Sequence, residues 1–153
     1  MPVVVIGADT PVGAAIVAAL RPASGEIRVF VTDPDTGDAY RNATKVAVGD
    51  LSDGSHVGGA AMGAFCAIAI IAAASDTRER HFAGDPPAVL AQWADGLSDP
   101  GVSRVIAVGR AADSPEPNPL ERITHQYRFV DTADRDVADV AAEIAALEAA
   151  ASL

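Results

Sequence analysis

Five short apolar runs punctuate this chain: Val3 to Ile6, Glu26 to Thr32, Lys45 to Gly49, Phe65 to Ala73 and Arg104 to Val108. Val3 to Ile6 and Phe65 to Ala73 are apolar without alternation, the pattern of strands buried on both faces. Glu26 to Thr32 alternates and is rich in β-branched residues, which also marks a strand. Strands of this kind, joined by helical crossovers, close into a parallel sheet with helices on both faces. The expected architecture is a three-layer, doubly wound α/β fold, and 153 residues suit one small domain spanning 1–153.

The segments between the runs follow the same logic. Thr10 can cap a helix whose first residue is Pro11, where a missing N–H costs nothing. Val12, Ile16, Ala19 and Leu20 then share one helical face. Residues 34–44 read as a polar loop after Asp33 and Pro34. Asp53 is placed to cap a short, glycine-weakened helix ending near Gly63. Residues 75–86 form a charged loop, and Pro86 to Leu97 a helix burying Val89, Leu90, Trp93 and Leu97. Residues 113–119 are an irregular loop, His125 to Val130 an edge strand, and Asp134 to Ala150 a last helix.

Charge narrows the function. A formal net charge of −10 repels duplex DNA and anionic membranes, so neither is an expected partner. Lys45 is the single lysine, so any mechanism needing a lysine must use it. No positive charge precedes the first apolar run, so a signal peptide is not expected and the protein is read as cytoplasmic. Val57 to Ser75 is uncharged, but its strongly apolar part, Ala64 to Ala74, is too short to cross a bilayer. Cys66 lies inside it and reads as a small buried hydrophobe. No metal site is expected.

In doubly wound sheets, ligands bind beyond the C-terminal ends of the strands. Here those ends carry Gly7 to Gly13, Asp33, Asp50, Ala72 to Asp76, and Gly109 with Arg110. Gly7 permits a tight turn, Gly13 lets the helix approach the sheet, and the helix N-terminus offers partial positive charge to a pyrophosphate. Asp33 stands 20 residues past Gly13, where a carboxylate accepts hydrogen bonds from ribose hydroxyls and repels a 2′-phosphate.

The stretch "VIGADTPVGAAIVAAL" resembles the first turn of the atypical and extended short-chain dehydrogenases, the NmrA-like and NAD-dependent epimerase-like group with a Rossmann fold. "VAVGDLSD", "AIIAAAS", "GVSRVIAVGR" and "DTADRDVADVAAEIAAL" resemble that family's later segments, so the likeness covers nearly the whole chain. It implies a dinucleotide held by Gly7, Ala8, Thr10, Pro11, Val12 and Gly13. It sets Asp50 and Leu51 against the adenine, and Ala72, Ala73 and Ala74 beside the cofactor. With Asp33 acidic, NAD(H) is the expected cofactor and NADP(H) is disfavoured. In that family helices also pair between subunits, so a homodimer or a partner protein fits the resemblance.

The chain departs from the family twice. Thr10-Pro11 replaces a glycine and a residue with an N–H, so the loop grips phosphate less well; one lost charge-assisted hydrogen bond weakens binding roughly ten- to a hundredfold. The family's Tyr and Lys, four residues apart, are also missing: Tyr127 is followed by Asp131 at that spacing, and Tyr40 by Thr44. The resemblance therefore implies a cofactor-sensing, regulatory or partner-docking pseudoenzyme. The competing reading is a reduced oxidoreductase or epimerase using His81, Tyr127 or Arg110, or groups from a second subunit. Arg78, Arg80 and Arg110 could bind an anion, with Arg110 the best placed of the three. A receiver domain, with Asp50 as phosphoacceptor and Ser75 beyond the fourth strand, is a third class. It lacks the acidic residues needed after the first strand, where Gly7 and Ala8 stand, and has Arg110 where it needs a lysine.

Overall fold

The Gly7 to Gly13 turn is placed by the strand before it and the helix after it, and both form where the apolar pattern changes period. The computed structural model describes residues 1–23, 25–41, 44–75 and 81–153. In chain order the elements are β1 (Val3–Ile6), α1 (Pro11–Leu20), β2 (Ile27–Val31), α2 (Pro34–Tyr40), β3 (Lys45–Val48), α3 (Gly54–Ala60), β4 (Cys66–Ile70), α4 (Pro86–Ser98), β5 (Arg104–Gly109), β6 (Tyr127–Asp131) and α5 (Val137–Ala149). Among the described residues the strands form one six-stranded sheet in the order β3-β2-β1-β4-β5-β6, every pair parallel. Val5 pairs with Val29 on one side and Ile68 on the other, so β1 is central and the strand order reverses between β1 and β4.

Strand alternation divides the core in two. Val4, Ile6, Ala67, Ala69, Val105 and Ala107 face the layer that holds α3 and α4, with Trp93 and Leu90 fully buried. Val3, Val5, Ile68, Ile70, Ile106 and Val108 face α1, α2 and α5. The Trp93 indole N–H donates to the Leu51 carbonyl at 2.6 Å, tying α4 to the turn after β3.

Three sequence expectations are corrected. Residues 34–40 are a helix rather than a loop: Pro34 opens it, the Asp33 carboxylate accepts the Asp35 N–H at 3.1 Å, and Gly37 and Tyr40 are buried against the sheet. (Asn42 and Ala43, in the same predicted loop, lie outside the described residues.) The fourth strand ends at Ile70, and Ile71–Ser75 turn as a 3-10 helix. Thr10 occupies the N-cap position of α1, but its hydroxyl does not cap the helix; it donates to the Gly7 carbonyl at 2.8 Å.

Among the described residues one charged side chain is wholly buried. Arg104, at the start of β5, donates to the carbonyls of Leu147, Glu148 and Ala150 at 2.8–2.9 Å and to Gln126 Oε1 at 2.7 Å. It thereby satisfies the orphan carbonyls at the C-terminal end of α5, which a helix end buried without partners would leave at high cost. Its guanidinium also lies 5.0 Å from the centroid of the Phe65 ring.

Candidate functional site

The β1–α1 turn is built by close approach. Gly7 has φ +84°, and a Cβ there would lie 2.4 Å from Ala73 Cβ. A Cβ on Gly13 would lie 2.3 Å from the Ala8 carbonyl oxygen, so only glycine lets α1 begin this near the strand. The Gly13 N–H is spent on the Thr10 carbonyl at 2.9 Å and Pro11 has none. Among the described residues the Val12 N–H makes no backbone hydrogen bond, which leaves it one donor that this turn can offer a ligand.

Two residues that sequence reasoning passed over hold the turn in place. The Asp9 carboxylate accepts the N–H groups of Thr32 at 2.9 Å and Asp33 at 3.0 Å, coupling the turn to the end of β2. The buried Tyr40 hydroxyl donates to the Ala8 carbonyl at 2.8 Å, and burial, followed by the nearby Asp9 charge, raises its pKa. Neither role has a local sequence signal, since each partner lies 23 or more residues away.

On the β2–β3 side, Asp33 and Asp50 both serve as structural acceptors. Asp33 takes the Asp35 N–H and, at 2.8 Å, the Thr36 hydroxyl. Asp50 accepts from the Ser52 N–H and hydroxyl at 2.8 and 2.6 Å, and from the His81 N–H and Nδ1 at 2.7 and 3.0 Å. Burial pushes the Asp50 carboxyl up, but the bonds from Ser52 and His81 outweigh it and hold the pKa below the ordinary value. The Leu51 side chain is 1% exposed and belongs to the core.

A cavity of about 280 Å³ opens on the other side of the turn. Its walls are Thr10 to Val12, the ends of β4 and β5 (Ile70 to Ala72, Val108 to Arg110), Asp113, Thr132, Arg135, and Val137 and Val140 of α5. Of the three predicted alanines, Ala72 lines this cavity, while Ala73 and Ala74 do not and are buried in the core layer that holds α3 and α4. Among the described residues, no Tyr, Lys or His lines it.

The acid–base candidates are not brought together. His81 is held by Asp50 after β3, four strand spacings, roughly 19 Å, from β5 and Arg110. Tyr127 begins β6, about 13 Å of strand away from the cavity end, and burial, followed by Glu121 and Glu116, pushes its hydroxyl up to about 12. Lys45 begins β3, also at the opposite end of the sheet, and pairs with Glu26 at 2.9 Å. Burial raises the Cys66 thiol to about 12, which leaves it an inert core residue. Arg78 and Arg80 lie outside the described residues. Among the described residues, no cluster of His, Cys, Asp or Glu is placed to hold a metal ion, and no helix is long and apolar enough to cross a membrane.

No protein-family model matches the chain, and no curated protein matches it in sequence. Solved structures do match in fold. ChuY, an anaerobillin reductase from Escherichia coli O157:H7, superposes with a TM-score of 0.70 at 18% identity, over 99% of this chain and 92% of that one. A putative NAD-dependent epimerase/dehydratase from Bacillus halodurans gives 0.69 at 16% identity, over 96% and 87% of the two chains. The triphenylmethane reductase of Citrobacter sp., solved with NADP(H), gives 0.59 at 17% identity; 96% of this chain covers 47% of that one. The chain thus has the Rossmann-like fold shared by NAD(P)-dependent reductases and epimerases, and it spans nearly all of the shorter ones.

Proposed function

We propose that the chain binds a nicotinamide dinucleotide across the C-terminal edge of its sheet and passes the hydride to a conjugated acceptor in the cavity beside Ala72 and Gly109. The supporting observation is that cavity: it lies on the β4–β5 side of the Gly7 to Gly13 turn, where the nicotinamide half of a dinucleotide crossing the turn would point. Gly7 and Gly13 fix the turn, Val12 N–H meets the pyrophosphate, and Asp33 lies on the adenosine side. Asp9 and Asp33 place two carboxylates at the end of β2, which favours NAD(H) over a cofactor with a 2′-phosphate.

The chemistry follows from what the cavity lacks. Reducing an isolated carbonyl needs a positioned acid, and among the described residues no Tyr, Lys or His lines these walls. A conjugated acceptor spreads the incoming electron pair over its π-system and takes its proton from water afterwards. Three of the fold neighbours carry names that fit this class, a quinone oxidoreductase, an anaerobillin reductase and a triphenylmethane reductase, while the epimerase-like neighbours do not. The second reading, a cofactor-sensing or docking module, draws on the weakened turn, since Pro11 lacks an N–H and the Thr10 hydroxyl is spent on Gly7.

The test is oxidation of NADH and NADPH across quinones, triarylmethane dyes and linear tetrapyrroles, set against simple aldehydes and ketones. Turnover confined to the conjugated acceptors, with NADH preferred and the preference reduced in Asp33→Ala, is the expected result. Cofactor binding without turnover of any acceptor would replace the reductase with the binding module.

A further inference from the structure

We propose that the acceptor cavity selects an anionic ligand, an apolar body carrying a carboxylate, and that the Arg110 guanidinium holds that carboxylate. This rests on the cavity being the acceptor site, and it adds what the acceptor must carry.

The argument begins with a local inversion of charge. The chain as a whole carries −10, yet among the described residues the charged groups lining the cavity are Arg110, Arg135 and Asp113, two positive against one negative. The two arginines differ in what already occupies them. Arg135 is tied to the Glu143 carboxylate at 2.6 Å and to the Asp131 carbonyl at 3.3 Å. Arg110 makes no hydrogen bond through its side chain among the described residues; its nearest acid is Asp113 at 3.8 Å, beyond hydrogen-bond reach. Its fork of N–H donors is therefore free to take a carboxylate in bidentate fashion.

The backbone beneath Arg110 is fixed while the guanidinium is not. The Ala111 N–H is held by Asp131 Oδ1 at 3.2 Å, and the Asp113 N–H by the Arg110 carbonyl at 3.0 Å. The side chain thus starts from a set point directly past a central strand. Apart from Thr10 and Thr132 the remaining described walls are apolar, and Val137 is 45% exposed, a large hydrophobic side chain left uncovered. An apolar body against Val108, Val137 and Val140 with an anionic head at Arg110 satisfies both features.

A pyrophosphate is also an anion, and the test separates the two sources. The full chain, saturated with NAD, is titrated calorimetrically with 2-naphthoate and with its uncharged methyl ester. Naphthoate is expected to bind about tenfold more tightly, a margin consistent with one charge-assisted hydrogen-bond pair at a partly exposed site. Arg110→Gln should bring naphthoate to the level of the ester, Arg110→Lys should keep part of the difference, and added salt should weaken naphthoate alone. Equal affinity for the two probes, binding of neither, or a preference that survives Arg110→Gln overturns the proposal. So does naphthoate that binds the free chain and is expelled by NAD, because Arg110 would then belong to the cofactor phosphates. A naphthoate preference that obeys these rules in a chain unable to oxidise NADH would remove the reductase reading and leave the anion site standing.

Discussion

The hydroxyl of Tyr40, at the end of α2, donates to the carbonyl of Ala8, one residue past the Gly7 turn, at 2.8 Å. A helix on the flank of the sheet thus sets the height of the Gly7 to Gly13 turn. Tyr40→Phe removes one buried hydrogen bond and leaves the Ala8 carbonyl without it, which costs about 1 kcal/mol of stability. Denaturant titration should show that loss. Dinucleotide affinity should fall with it, because the turn loses its lower support.

Pro11 withholds a backbone donor from the α1 N-terminus. Pro11→Ala restores an N–H beside that of Val12, and dinucleotide affinity is expected to rise about tenfold. Calorimetry on the two proteins checks it. An unchanged affinity would mean that the pyrophosphate does not meet this turn.

Asp50 makes stability depend on pH. Its pKa is lowered in the folded chain, so its contribution is present above the unfolded value of about 3.9 and is lost as pH falls through the folded value. Asp50→Asn should therefore destabilise the protein at neutral pH by about 2 kcal/mol, and the gap to wild type should close below about pH 4. Thermal melts of both proteins across that range measure the difference.

Arg104 secures the last helix by filling its terminal carbonyls from the strand side. Arg104→Met keeps the apolar bulk but strands those carbonyls, with an expected loss of about 3 kcal/mol. Amide exchange should quicken first in the final turn of α5, where the lost acceptors lie. A uniform rise across the sheet would assign Arg104 a different role.

Much of the site's frame was written locally. The run Val3–Ile6, the turn residues Gly7 and Gly13, and Asp33 at the end of the second strand each declare themselves through period or backbone demand. The parallel six-stranded sheet follows from strands that alternate with helices. Residues 34–40 escaped that logic because α2 is polar and contains a glycine; it is a helix because Gly37 and Tyr40 pack on the sheet, which propensity does not record. Sequence determined which residues would stand at strand ends. Only the tertiary structure decided which strand ends lie side by side, and it bound His81 to Asp50, away from the cavity. The same packing made a cavity beside Arg110, because its walls come from the α1 turn, β4, β5 and α5, and their meeting is fixed by parallel register and helix packing.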